Sequence, residues 1–231
     1  MRRLHIVLLA LLAGTAAAHA ASLVVVEARA IALRPGATVD STKVLELRQG
    51  QHVTLISETG STFKLDGPYK AQPLASGGGG GVNLTQTLRA LATQREARNG
   101  EFGVTRGTVL APLPEPWLLD ASHSGNGCLL ENRTPMFWRP DAKAAATLTV
   151  APVDRSWNAH AAWPTGQSRL AITTDVPMRG GETYVIDFNG DEFAITTTLL
   201  PASLTNDDMR AAWMANKGCE QQAEALVKTG R

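Results

Sequence analysis

The chain of 231 residues has two cysteines, Cys128 and Cys219. Structural zinc takes four ligands at compact spacings such as C-x2-C, so two isolated cysteines argue against a zinc fold. Charge of either sign is also in short supply as an excess: 22 basic side chains stand against 21 acidic ones. A balance this even gives no field to steer nucleic acid or an anionic membrane toward the chain. After the first twenty residues no apolar run approaches the ~18 needed to span a bilayer. The common chemical signatures are missing as well. There is no G-x-S-x-G elbow for a serine hydrolase and no local signature of a cysteine protease. The glycine run Gly77–Gly81 lacks the Lys-Ser/Thr that would follow in a phosphate-cradling loop, so it reads as a flexible linker. Aromatic residues make up only 5% of the chain, yet five of the twelve are Trp, each able to anchor a small core.

What is there begins with MRRLHIVLLALLAGTAAAHA. Arg2 and Arg3 form a positive n-region, Ile6 to Leu12 a short apolar core, and Ala18-His19-Ala20 a small-x-small cleavage site. That is the grammar of a secretory signal peptide, removed after Ala20. The expectation is a periplasmic protein with no transmembrane segment after cleavage. Without Arg2 and Arg3 the balance is 20 basic against 21 acidic side chains, and nucleic acid drops out as a partner.

The rest reads as mostly β with added helices. Residues 21–75 form a small antiparallel β module. SLVVVEARAIALRPG is its first strand. Short strands around Val44–Leu47, Val53–Ser57 and Phe63–Leu65 follow as a meander between glycine turns. Residues 76–116 comprise the glycine linker, an amphipathic helix and a proline-rich connector. Asn83 caps that helix, Leu84, Leu88 and Leu91 share a face, and Asn99-Gly100 ends it. Pro112, Pro114 and Pro116 interrupt regular helix and mark a boundary between units. In 117–203, six or seven short strands imply a β-sandwich, immunoglobulin-like in spacing. They include TLTVA, WNAHAAW, SRLAIT, TYVIDF and FAITTTL, with Asn189-Gly190-Asp191 as a hairpin turn. Residues 204–231 form a helical hairpin in which Thr205 caps the first helix and Asp207 and Asp208 favour its dipole.

Two resemblances add to this reading. The stretch L-x-x-G-Q-x-V-T-L-I-x-x-x-G-x-x-F-K-L-x-G-P-Y, ending at Tyr69, is similar to the β-repeat of FecR-like periplasmic domains. It implies a periplasmic β module and covers Lys43 to Tyr69 only. The whole chain also resembles a family of uncharacterised secreted proteobacterial proteins. Its marks are Gly67-Pro68-Tyr69, Trp138-Arg139-Pro140, Trp213, Gly218-Cys219, Gln222-Ala223 and Leu226. That resemblance implies architecture and no activity.

Three chemistries compete for Cys128. It pairs with Cys219 as a structural disulfide, which an oxidising compartment permits and an exported chain with two cysteines favours. It is a nucleophile served by His123 and Asn126. Or Cys128, Cys219, His123 and His160 hold zinc. Asp187, Asp191 and Glu192 around Asn189-Gly190 offer carboxylates without the spacing of a calcium loop, and a hairpin explains them. Trp157 and Trp163 fall on one side of a strand at period two. They form either a platform for sugar rings or part of the sandwich core. Trp138 beside Arg139 is a candidate cation–π pair. The expectation is a binding protein without cofactor whose partner is an envelope protein or a cell-wall or exported glycan. The alternatives are a carbohydrate-binding module on Trp157 and Trp163, and a Cys/His envelope enzyme.

Overall fold

The computed structural model describes residues 22–74, 81–90, 110–172 and 178–230. The expected signal peptide, most of the glycine linker and the expected helix end at Asn99-Gly100 lie outside the described residues.

The first strand, β1 (Ser22–Arg29), has four consecutive buried residues, Leu23 to Val26. A strand buried on both faces carries a continuous apolar run in place of alternation. Here the faces serve different cores. Leu23 and Val25 join Val53, Leu55 and Leu65 in a small N-terminal core, while Val24 and Val26 join Ile56 and the C-terminal helices. β1 lies between β2 (Thr38–Asp40) and β4 (His52–Ile56) in an antiparallel sheet of order β2-β1-β4-β5-β7, where β5 is Ser61–Asp66 and β7 Val82–Asn83.

The expected meander is only partly realised. The hairpin β4–β5 forms across Gly60, but β3 (Leu45–Leu47) leaves the sheet and pairs antiparallel with β6 (Tyr69–Ala71) as a separate ribbon. Leu47 and the partly buried Leu45 and Tyr69 thereby cover the outer core of the main sheet. Residues 84–90 are helical (α1). Asn83 caps this helix as expected, its Oδ1 accepting from the Gln86 backbone N–H at 2.9 Å.

The second half contains two sheets whose side chains share a core. One sheet has the order β12-β11-β14-β15-β9 and the other β13-β10-β8. β8 is Leu118–Asp120, β9 Gly125–Leu130 and β10 Met136–Trp138. β11 is Ala146–Pro152, β12 Ala159–Trp163 and β13 Arg169–Ala171. β14 is Thr183–Phe188 and β15 Asp191–Leu200. Phe137 and Ala121 from one side meet Leu148, Val150, Tyr184 and Ile186 from the other. The β14–β15 hairpin turns at Asn189 (φ 55°) and Gly190 (φ 91°), as the sequence indicates. Two pairings are parallel, β9 with β15 and β8 with β10.

The C-terminal helices α2 (Asp207–Asn216) and α3 (Glu220–Thr229) are not an appendage of the sandwich. α2 buries Met209, Ala211, Ala212, Trp213 and Met214, which is more than one stripe, because it is covered from two sides. On one side stand Val24, Val26 and Ile56; on the other Cys128, Leu130 and Leu200. α3 joins the same core and also packs Ala225 against Leu113, Leu118 and Trp138. Polar contacts knit the seam. Lys217 Nζ donates to the Val26 carbonyl at 3.0 Å, Asn206 Nδ2 to the Glu58 carbonyl at 3.1 Å, and Ser203 Oγ to the Gly36 carbonyl at 2.7 Å. Gly60 (φ +73°) lets the β4–β5 turn approach α2: a Cβ there would come within 2.9 Å of the Asp208 carbonyl oxygen. Asn206, not Thr205, caps α2, its side chain accepting from the Met209 N–H. Thr205 Oγ1 instead lies against Met209 Sδ.

Candidate functional site

β9 settles the cysteine question. Period two places Cys128 and Leu130 toward the helices and Leu129 toward the sandwich core. Cys219 precedes α3, and the two cysteines form a disulfide with their Cα atoms 5.9 Å apart. Each is 1% exposed. The thiol that a nucleophile or zinc site would need is therefore spent, and His123 and His160 make their contacts elsewhere. Beside the disulfide, the side-chain amide of Gln222 acts as a strand would. Its Oε1 accepts from the Cys128 N–H at 2.6 Å and its Nε2 donates to the Cys128 carbonyl at 2.9 Å. Sequence reasoning placed Gln222 among family marks and missed this role.

The three histidines among the described residues occupy separate places. His52 bonds Asp66 (2.6 Å) and Thr54 on the N-terminal sheet. His160 meets Thr149 Oγ1 at 2.9 Å on β12. His123 Nδ1 lies 2.9 Å from Ser122 Oγ and 3.4 Å from the buried carboxylate of Asp120. Ser122 Oγ donates to Asp120 at 2.6 Å. A serine nucleophile would sit on the opposite imidazole nitrogen from the carboxylate; here both crowd Nδ1 and Ser122 bonds the acid directly. The arrangement is a loop brace. No group of three or more His, Cys, Asp or Glu side chains suited to a metal occurs among the described residues. Around Asn189 and Gly190, Asp187 Oδ1 accepts from the Gly190 N–H at 2.8 Å and so serves the turn.

The tryptophan pair separates. Trp163 is 0% exposed and packs edge-on to Phe188, their ring centroids 5.8 Å apart. Its face carries the guanidinium of Arg139, 4.9 Å from the ring centroid. Arg139, itself 2% exposed, donates to the carbonyls of Pro164 and Gln167. The cation–π partner of Arg139 is thus Trp163 and not its neighbour Trp138. A sugar platform needs an open face, and Trp163 has none. Trp157 lies before β12 and is half-buried, tilted against Tyr184 at a centroid distance of 5.9 Å.

Trp157 lines a cleft of about 680 Å³ with Asp154, Ser156, Arg179 and Glu182. The Ser156 backbone N–H donates to Asp154 at 3.0 Å and holds its carboxyl below the ordinary range, so the group stays charged. Arg179 has an exposed side chain on a fixed backbone. Its N–H donates to the Tyr184 hydroxyl at 2.7 Å, and its carbonyl accepts from the wholly buried Thr197 hydroxyl. The Tyr184 hydroxyl in turn donates to Glu182 at 2.7 Å, and burial pushes its pKa above the ordinary value. Two core hydroxyls thus hold one surface arginine. The sequence signal for this corner is MRGGE, with Gly181 at φ 85°.

Compared with family models, with curated proteins and with solved structures, the chain finds no match in any of the three.

Proposed function

We propose that this chain is a non-enzymatic binding protein of the bacterial periplasm, and that it holds a cell-wall or exported glycan in the Trp157 cleft. The observation that carries this reading is one half-open indole beside three charged side chains, Asp154, Arg179 and Glu182, in a cleft of ligand size. A sugar ring offers an apolar face for the indole and hydroxyls for the carboxylates and guanidinium. The leader-like first twenty residues, the disulfide and the FecR-like stretch support export, because disulfides persist where the compartment is oxidising. The immunoglobulin-like ordering of the sandwich belongs to the same proposal.

The test is a titration of purified protein with soluble peptidoglycan fragments and with exported polysaccharide, read by tryptophan fluorescence and calorimetry. Saturable binding lost in Trp157→Ala, with the fold retained, is the expected result. Absence of binding to both glycan classes overturns the glycan and turns attention to an envelope protein as partner.

A further inference from the structure

A second cavity, of about 460 Å³, opens where the sandwich core reaches the surface. Its floor is made of core side chains: Leu129, Phe137, Val150, Ile172 and Met178, none more than 8% exposed. Leu199, 38% exposed, is the one large apolar side chain open to solvent among the described lining residues. Every one of these side chains is hydrocarbon or thioether, so the depth of the cavity can hydrogen-bond nothing through them. A group placed there must itself be apolar, because an unpaired polar group in such a place is penalised. The volume lies in the range of small-ligand sites.

The rim has a different chemistry. The β9–β10 turn contributes the exposed Glu131 and Arg133, and the far side contributes Arg179. Arg133 forms no ion pair among the described residues, and the Arg179 pairing with Glu182 is long, at 3.9 Å. Among the described residues that line the cavity, two guanidinium groups stand against one carboxylate. The Arg179 backbone is the one held by the Tyr184 and Thr197 hydroxyls, so the point from which its side chain extends is fixed at this border.

We propose that this cavity binds a single-chain amphiphile with an anionic head. The alkyl chain lies along Leu199, Met178 and Leu129, and Arg133 and Arg179 pair the carboxylate or phosphate at the mouth. Burial of the chain's methylenes drives association, and the arginine fork matches either anion. This site is separate from the Trp157 cleft and shares only Arg179 with it.

The probe is dansyl-undecanoate, whose fluorescence rises in an apolar site, titrated into the purified full chain and displaced by myristate, myristyl alcohol or inorganic phosphate. The expected result is saturable binding that myristate displaces and phosphate does not. Leu199→Trp, at a partly exposed position, narrows the mouth and weakens myristate at least about tenfold, which is about 1.4 kcal/mol. Arg133→Ala weakens myristate several-fold and leaves the alcohol unchanged, since only the charge-assisted contact is lost. Absence of saturable probe binding overturns the proposal. So does displacement by phosphate alone, undiminished myristate binding in Leu199→Trp, or an equal loss for acid and alcohol in Arg133→Ala. Myristate binding that survives Trp157→Ala separates this site from the glycan reading, and either one can fail without the other.

Discussion

Replacing Gln222 by leucine should cost this protein about 2–5 kcal/mol, although the two side chains are close in volume and the new one is more apolar. Gln222 is 3% exposed and spends both ends of its amide on one backbone unit, the N–H and the carbonyl of Cys128. β9 is the last strand of its sheet; its other edge is engaged by β15, with Cys128 opposite Thr198. The groups that face Gln222 therefore have no neighbouring strand, and α3 keeps solvent from them. Leucine leaves a donor and an acceptor buried without partners. Each such group costs about 1–3 kcal/mol, against which the gain from a slightly more apolar side chain is small. The assay is chemical denaturation followed by tryptophan fluorescence with the disulfide intact, comparing midpoints at unchanged slope. A loss below about 0.5 kcal/mol would refute the reasoning, because surface substitutions without a buried role reach that size. Gln222→Asn provides the second arm. It keeps the amide but shortens the reach by one methylene, and should lose nearly as much if geometry, not polarity alone, makes the pairing.

Two further outcomes follow from the same structure. Cys128→Ala with Cys219→Ala removes a crosslink of sequence separation 91, for which the chain-entropy relation gives about 4–5 kcal/mol; an equilibrium loss under about 1 kcal/mol would show that the unfolded chain is already constrained. The Tyr184 hydroxyl has its folded pKa raised, first by burial. Its contribution is fully present below the ordinary tyrosine value of about 10 and is lost as pH rises through the higher folded value. Denaturation midpoints measured from roughly pH 8 to pH 11 should fall more steeply in the native protein than in Tyr184→Phe, and parallel curves would count against the assignment.

The features that could be read from the sequence are those fixed by neighbouring residues. Asn189-Gly190 supplies two positive φ values where a hairpin needs them, and Asn83 supplies an acceptor one turn before Gln86. The cysteine pairing was legible for a different reason: two cysteines in a chain that reads as exported leave few options. The elements that escaped depend on partners distant in sequence. Nothing within Leu45–Leu47 says that it pairs with Tyr69–Ala71 and not with the adjacent hairpin. The parallel pairings β9–β15 and β8–β10 join strands that no turn connects. One signal was present and carried more than was taken from it: the unbroken run Leu23-Val24-Val25-Val26 already asks for a cover on both faces. At the candidate site, the tryptophans were visible but their exposure was not, because period two says that Trp157 and Trp163 share a side without saying what lies above it. Arg179 gave no local sign beyond the glycines after it, since its anchoring hydroxyls come from β14 and β15.

The alternation of β1 and β9 explains why the chain does not divide cleanly at its prolines. Each strand gives one face to its own sheet's core and the other to the helices: Leu23 and Val25 against Val24 and Val26 in the first case, Leu129 against Cys128 and Leu130 in the second. α2 and α3 fill the space between, so either β unit taken alone would bare a row of fully buried aliphatic side chains. Val24 and Ile56 are both 0% exposed, and baring side chains of this size costs ~1.5–3 kcal/mol apiece. The disulfide and the Gln222 amide then act at the joint where this matters most. They fix β9, whose next residue, Leu129, lines the apolar cavity and whose following turn carries Arg133 to its rim. A structural crosslink on one face of a strand thus sets the position of a candidate binding surface on the other, one residue further along the chain.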